Sequence, residues 1–314
     1  MISADDYVGF FSREYLHGYV AEGGCAVKFA VAEPEAASQL RESLAGAATE
    51  AGYVVAHVDA SVTRVHLIEQ VFFEVARQVD WNGLAAVALT QAVTDAGYPF
   101  PGPQAVSLDE LAGHHGADAR ELKRDVDLQL QRLVFKDYAM VQEFRIAMLR
   151  LCQARFRTGQ VSEAEHAAVL EWLRGDLHQM GALRSSLLYR RIARHNARQM
   201  LFSLPHWIAK NGGVGLFLLI DVQRLGVARR PPVDERSGQY YMRPGLLDAY
   251  EVLRQLVDST DELARCCVVV LGAPEILSDE ARGLDAYQAL KLRIFDEVRD
   301  RRRDNPFSSL VRIG

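Results

Sequence analysis

Four short apolar runs, most of them next to a glycine, stand out from a chain whose other apolar positions repeat at helical spacing. They lie at residues 26–31, 53–58, 216–220 and 267–271. Runs that are apolar on both faces are typical of parallel strands covered by helices on both sides. A weaker fifth run lies at 309–313. The pattern therefore predicts an α/β core built on a parallel sheet.

Helical periodicity separates these runs. Pro34 suits the first position of a helix, and the segment that follows, to residue 51, repeats leucine on one face. Between the second and third strands lie roughly 150 residues, far more than a simple crossover needs. We predict helices there at 122–133, 138–155, 163–173 and 183–210, with a kink or boundary at Pro205, and a long exposed loop at 226–243.

The proline-rich break near residue 99 suggests where this long stretch departs from the core. We predict a first part of the α/β core at 1–97, a helical insertion at 98–210 and a second part of the core at 211–314.

Composition narrows the class of protein. The chain has 314 residues, 49% of them hydrophobic and 25% charged, with a net charge of −5, so any surface for nucleic acid must be local. We expect no membrane-spanning helix, since no apolar run is long enough. The four cysteines, Cys25, Cys152, Cys266 and Cys267, show no metal-ligand spacing, so we predict no metal site. Cys266 and Cys267 open an apolar run, which predicts strand core in place of a disulfide and hence a reducing, cytoplasmic location.

A phosphate-binding loop, if present, would directly follow the first strand, because ligands of open parallel sheets bind at the carboxyl ends of strands. A phosphate-binding loop would read G-x-x-x-x-G-K-[ST], with backbone N–H groups and the lysine holding the phosphates. Both glycines are missing here, Ser38 stands in place of the lysine, and Gln39 replaces the hydroxyl. The corresponding residues are Ala32, Glu33, Pro34, Glu35, Ala36, Ala37, Ser38 and Gln39.

Two acidic side chains in this segment also disfavour a bound phosphate. Glu33 and Glu35 lie at a predicted helix N-terminus, where they would occupy the place of a triphosphate or act simply as helix-capping acids. After the third strand, Asp221 matches the position that supports Mg²⁺, but Val222 stands where a catalytic acid is expected. We favour the simpler interpretation of Asp221, an aspartate that caps the turn after a strand. The sequence therefore predicts a degenerate nucleotide site, with no catalytic residues and no bound cofactor.

Several blocks of sequence, in order along nearly the whole chain, resemble one family: the P-loop ATP-binding proteins of BREX-type phage-defence systems. The blocks are GGCAVKF at 23–29, WLRG at 172–175, RQML at 198–201, AYEVLRQ at 249–255, DSTDEL at 258–263, YQALKLR at 287–293 and DEVRDRRRDNP at 296–306. The resemblance implies a P-loop NTPase (AAA+-like) fold, partners that modify or restrict DNA, and a role in defence. In the family the loop carries G-K-T and the third strand ends in Asp-Glu, so only Asp221 carries over.

Two groups of arginines are candidate contacts to a partner or to nucleic acid. Arg191, Arg194 and Arg198 share one face of the predicted helix, although a solvated face has the same pattern. The second group lies near the C-terminus, interleaved with acids, and could contact nucleic acid or reach in trans into the site of an intact ATPase. Its members are Arg293, Arg299, Arg301, Arg302 and Arg303. The pairs His114–His115 and Tyr240–Tyr241 are weak candidates for a metal and for base stacking, both placed in loops.

These patterns leave three hypotheses. The first is a non-hydrolysing structural or regulatory subunit (a pseudo-ATPase) of a BREX-like complex, paired with an intact ATPase paralogue or a DNA-acting enzyme. The second is a DNA-binding adaptor that uses the arginines. The third is a protein that binds or hydrolyses ATP at a non-standard site, with Asp221 and an unrecognised lysine such as Lys28.

Overall fold

A computed structural model describes residues 1–99, 107–227, 231–295 and 304–314. Its five strands form one parallel sheet in the order β2-β3-β4-β1-β5. The strands are β1 (Cys25–Val31), β2 (Val54–Asp59), β3 (Leu216–Asp221), β4 (Cys266–Gly272) and β5 (Leu310–Arg312). All five apolar runs of the sequence are therefore strands, and the predicted α/β architecture with a parallel sheet is confirmed.

The α-helices among the described residues are numbered in chain order. They are α1 (Ala4–Phe11), α2 (Pro34–Glu50), α3 (Ile68–Gln78), α4 (Trp81–Asp95), α5 (Leu108–His115), α6 (Ala119–Leu130), α7 (Gln142–Arg155), α8 (Glu163–Arg174), α9 (Ala197–Lys210), α10 (Arg243–Asp258), α11 (Glu275–Ser278) and α12 (Gln288–Ile294). None of these described helices combines the length and the apolarity that crossing a bilayer requires.

The chain divides into two compact units, which we call the sheet unit (Met1–Gln78 with Val214–Gly314) and the helical unit (Val79–Gly213). The helical unit begins earlier than the predicted insertion at 98, because α4 packs on α6 and α7. This helix is apolar around most of its circumference, which is typical of a helix buried in a core.

One face of the sheet packs against α1 and α2. Tyr7 and Phe11 from α1 and Leu40 and Leu44 from α2 are fully buried there, against alternate residues of the strands such as Phe217. Burial of a leucine or phenylalanine side chain contributes roughly 1.5–3 kcal/mol, so these contacts hold α2 firmly at the edge where β1 ends.

All four cysteines are free and buried, and Cys266 and Cys267 lie in β4, as predicted for this pair. Cys25 and Cys266 are direct neighbours in the β1–β4 register, and burial raises the pKa of Cys152 to about 12. The four thiols are therefore core side chains.

Three helix predictions differ from the structure. The helix predicted at 183–210 begins only at Ala197, and Pro205 lies inside it without ending it. The helix predicted from 138 begins at Gln142, because the Val141 N–H donates to Ser203 Oγ at 3.0 Å. His114 and His115 form the last turn of α5, where the sequence had placed a loop.

Candidate functional site at the carboxyl edge of the sheet

The junction between β1 and α2 at this edge is short. Val31 ends the strand and Pro34 begins the helix, so only Ala32 and Glu33 lie between them. The Ala32 N–H donates to Gly272 O at 3.1 Å, and Glu33 O already accepts the first helical bond from the Ala37 N–H at 2.8 Å. The eight residues equated with a phosphate-binding loop are therefore not a loop, since six of them belong to α2.

The side chains of these residues divide between solvent and core. Glu33, Pro34 and Glu35 are exposed, and Gln39 also faces solvent. Ala37 is buried against the sheet. Neither glutamate belongs to an ion pair with a described residue, so both carboxylates stand in solvent at the helix N-terminus. Proline at the first helical position removes one of the N–H groups that an anion would use.

Ser38 has a structural partner. Its Oγ accepts a hydrogen bond from Arg41 Nη2 at 3.1 Å, and Arg41 Nη1 lies 3.8 Å from Asp221 Oδ2. Arg41 lies one helical turn after Ser38, on the same face of α2. Sequence reasoning missed this arginine because it lies beyond the motif positions, although the spacing of three residues was a visible signal.

Asp221 caps the turn that follows β3. Only 8% of the residue is exposed, and its carboxylate accepts hydrogen bonds from Gln223 N at 3.0 Å and Gln223 Nε2 at 3.2 Å. Burial raises the pKa of Asp221 above its ordinary value, and Asp59, its neighbour in the β2–β3 register, adds to the rise. Val222 is buried and carries no acid, so Asp221 has no acidic side chain immediately after it in the chain.

A cleft of about 370 Å³ opens at this edge. Its lining residues come from the starts of α2 and α11 and from the turn after β3; they are Pro34, Gln223, Arg224, Gly226, Val227, Ala273 and Glu275. The Arg224 guanidinium lies 4.7 Å from the centre of the Tyr240 ring. One cation, one carboxylate and one amide line the cleft, and β4 ends at Gly272 and is followed by Ala273, neither of which has a side-chain donor.

The described residues at this edge form no metal cluster. Over residues 1–99, 107–227, 231–295 and 304–314, no three His, Cys, Asp or Glu side chains come together as a metal cluster. His57 lies near Asp59 and Asp221, but burial and the Arg41 guanidinium lower its pKa, which favours the neutral ring. The arrangement can bind a small polar group, and it lacks the cationic cradle that a triphosphate needs.

Lys28, the lysine considered for a non-standard ATP site, has a different role. It lies in the middle of β1, 6% exposed, and its Nζ donates to Phe307 O at 2.5 Å and to Ser308 O at 3.1 Å. The same ammonium lies 4.7 Å from the centre of the Tyr15 ring. It therefore anchors the chain just before β5.

The first arginine group does not form a helical stripe. Arg191 and Arg194 lie in an irregular segment before α9, and only Arg198 is helical. Side chains satisfy the backbone of this segment: Asn196 Oδ1 accepts from the Ala193 N–H at 2.8 Å, and Asn196 Nδ2 donates to Arg191 O at 3.2 Å. The prediction that the three arginines share one helix face is wrong.

The second group is only partly described. Arg293 on α12 forms an ion pair with Asp258 and donates to Ala289 O at 2.7 Å. The other four members, Arg299, Arg301, Arg302 and Arg303, lie outside the described residues.

The structure also places the two weak candidates, the pairs Tyr240–Tyr241 and His114–His115. Tyr241 is buried and cannot stack on a base, while Tyr240 faces Arg224. His115 Nε2 lies 3.2 Å from Pro99 O, so this ring has a backbone partner.

Comparison with known proteins adds one finding to this geometry. No curated protein and no solved structure matches the chain. The family described as BREX system ATP-binding protein BrxC/D matches residues 18–313, which is nearly the whole sequence. Such a family works with the other components of a BREX defence system. The chain therefore belongs to the family of BREX system ATP-binding proteins.

Proposed function

We propose that this protein is a pseudo-ATPase: a structural or regulatory subunit of a BREX complex that keeps an AAA+-like core without hydrolysing ATP. Family membership supports the place in a defence system. The parallel sheet, with β1 between β4 and β5 and α2 directly after β1, supports the ATPase-like core. The observation that carries the proposal is the β1–α2 junction of two residues, with Glu33 and Glu35 beside it.

Electrostatics explain why this junction disfavours a triphosphate. A carboxylate about 4 Å from a phosphate charge costs from about 1 kcal/mol in bulk water to about 4 kcal/mol near a protein surface. A lysine would normally offset this repulsion, but α2 has no lysine and Arg41 is directed towards Ser38 and Asp221. The geometry therefore supports a surface that replaces nucleotide chemistry with protein contacts.

Thermal unfolding with ATP and Mg²⁺ tests the proposal. A ligand at about 100 times its Kd stabilises the folded state by about 2.7 kcal/mol, so about 1 mM ATP would reveal a Kd of about 10 µM. We expect no shift in Tm and no heat on calorimetric titration. The variant Asp221→Asn serves as the matched control. Binding that the variant abolishes would overturn the proposal in favour of a non-standard ATP site.

The partner is the second part of the proposal. We infer that the chain pairs with an intact ATPase of the same defence system and that a C-terminal arginine reaches the partner's nucleotide in trans. Co-expression with that ATPase should give a stable complex. Its turnover should fall about 10³-fold or more on removal of the correct arginine among Arg299, Arg301, Arg302 and Arg303. Arg293→Ala is the control, since Asp258 already pairs with Arg293. Unchanged turnover in all four variants would refute the trans role.

A further inference from the structure

Residues 184–196 of the helical unit, which we call the arginine segment, follow an irregular path that is held at several points. Ser186 Oγ donates to Glu165 Oε1 at 2.5 Å, and Trp172 Nε1 donates to Arg190 O at 2.9 Å. Two of its side chains are buried as anchors, Leu188 and Ile192. The backbone is therefore fixed although it is not helical.

The exposed side chains of this segment are strongly basic. Between residues 177 and 220 the chain contains no aspartate or glutamate. Four arginines of the segment are exposed: Arg184, Arg190, Arg191 and Arg194. The ion pairs among the described residues of the helical unit use other cations, and Arg191 Nη2 donates to the backbone carbonyl of His178 at 2.7 Å. On a protein with a net charge of −5, this surface is complementary to an anionic partner.

An open groove of about 430 Å³ adjoins the segment, and we call it the aromatic groove. It is lined by Phe135, Gln142, Glu143, Ile146, Leu187, Tyr189 and Arg190. Tyr189 is 67% exposed and Phe135 40% exposed. Leu187 has a φ of +62°, in the left-handed region that non-glycine residues rarely adopt, and its side chain is 54% exposed. Strained backbone of this kind clusters at binding sites.

A stacked cation extends the groove. The Arg145 guanidinium lies 5.6 Å from the centre of the Phe135 ring and 4.7 Å from that of Tyr138, and Tyr138 is 81% exposed. Arg145 Nη1 donates to Phe135 O at 2.6 Å, which fixes the guanidinium beside both rings. Flat rings that face solvent next to arginines are what an unpaired nucleobase and its phosphate require.

We propose that the aromatic groove and the arginine segment bind single-stranded nucleic acid. Bases stack on Tyr189 and Tyr138, and the exposed arginines neutralise the phosphates that follow the strand. Glu143 can accept a hydrogen bond from a base amino group. A duplex keeps its bases stacked inside, so it would use the arginines without the rings. An acidic peptide would likewise leave the exposed tyrosines without a role.

Fluorescence anisotropy with the full chain tests this proposal. The probe is a labelled oligothymidylate of about 20 nucleotides, longer than the roughly 4–16 nucleotides that one single-strand binding fold covers. At about 50 mM salt we expect saturable binding, with a log–log salt slope of about −0.7 for each phosphate neutralised. Tyr189→Ala should weaken binding about 5- to 100-fold, since it removes one stacked base. Tyr189→Phe keeps the ring and should bind as the parent does.

Charge variants provide the second readout. Arg190→Ala should reduce the salt slope by about 0.7. The control is Arg13→Ala, which should leave the slope unchanged, since the Arg13 side chain is 70% exposed on the sheet unit.

Absence of binding at about 50 mM salt would overturn the proposal. Equal binding of single strand and duplex that Tyr189→Ala does not weaken would reduce the site to a general polyanion surface. Displacement of the oligonucleotide by a polyglutamate peptide at lower concentration would assign the groove to an acidic protein segment. ATP binding enters none of these readouts, so the outcome is independent of the pseudo-ATPase proposal.

Discussion

Replacement of Tyr241 by phenylalanine removes one buried hydroxyl from the sheet unit and leaves the ring in place. This hydroxyl lies 2.7 Å from Thr63 O and 3.0 Å from Ala60 O, and it accepts a hydrogen bond from the Val65 N–H at 3.2 Å. Tyr241 is 7% exposed. The hydroxyl thereby ties the loop before α10 to the turn after β2.

The loss can be estimated from these contacts. A hydroxyl has one hydrogen, so it donates fully to one carbonyl, and Thr63 O is the closer. The Val65 N–H keeps a second acceptor, Thr63 O at 2.9 Å, which limits the damage on that side. Thr63 O keeps the Val65 N–H as a donor, so the change removes one buried hydrogen bond and does not leave this carbonyl unpaired. Such a bond contributes roughly 0.5–1.5 kcal/mol, and because Ala60 O also loses its contact we expect a loss at the upper end, about 1.5 kcal/mol. For a unit of about 150–250 residues this lowers Tm by about 3–6 °C.

Far-UV circular dichroism measures Tm, and hydrogen exchange of a peptide covering residues 60–66 reports the turn directly. Tyr240→Phe is the matched control, because that ring can stay beside the Arg224 guanidinium after the change. Tryptophan emission monitors the helical unit separately, since all three tryptophans lie there: Trp81, Trp172 and Trp207. Equal Tm values and equal exchange for the two variants would show that the Tyr241 hydroxyl does not stabilise the turn.

Three further predictions address other parts of the fold. Gly238→Ala should lower stability by more than about 1 kcal/mol in a chemical unfolding series, because φ is +67° and the new Cβ would lie 2.1 Å from Ser61 O; a neutral result would mean that the loop moves freely. Ser186→Ala should lower the free energy of unfolding of the helical unit, followed by tryptophan emission, by about 1–3 kcal/mol, because the buried Glu165 carboxylate loses its hydroxyl donor; an unchanged unfolding curve would contradict this. At alkaline pH the protein should unfold as it is titrated. Burial raises several tyrosine pKa values, so the folded state keeps protons that the unfolded chain releases, and the stability present below about pH 10 is lost as the pH rises further. The last step of tyrosine ionisation, measured by absorbance, should coincide with unfolding, and ionisation of all 11 tyrosines in a protein that is still folded would oppose the reasoning. The buried tyrosines are Tyr7, Tyr53, Tyr241 and Tyr250.

Local patterns predicted the sheet well. A strand buried on both faces has to be apolar throughout, and β1, β3 and β4 are buried at every position, so the runs were readable without partners. The start of α2 was equally local, since Pro34 suits the first helical turn. The family resemblance also rested on sequence alone, and the comparison confirmed it.

Local sequence patterns predicted the wrong conformation where a side chain binds a backbone group far along the chain. The arginine segment has a helical pattern, but the Trp172 indole, from α8, binds the carbonyl of Arg190 and holds the chain in another conformation. Helix propensity is summed over a few neighbouring residues, so it does not depend on a partner that lies 18 positions away. The aromatic groove was missed for the same reason, since Phe135 and Tyr189 meet only after folding.

The sequence by itself determined the class of fold, the missing phosphate-loop residues and the family, because each depends on residue types in local order. Only the tertiary structure decided that β1 and α2 are joined by two residues, that Arg41 lies between Ser38 and Asp221, and that exposed rings and arginines share one surface. The physical reason is that hydrophobic periodicity depends on neighbours along the chain, whereas a site depends on side chains that burial of the core brings together from distant positions.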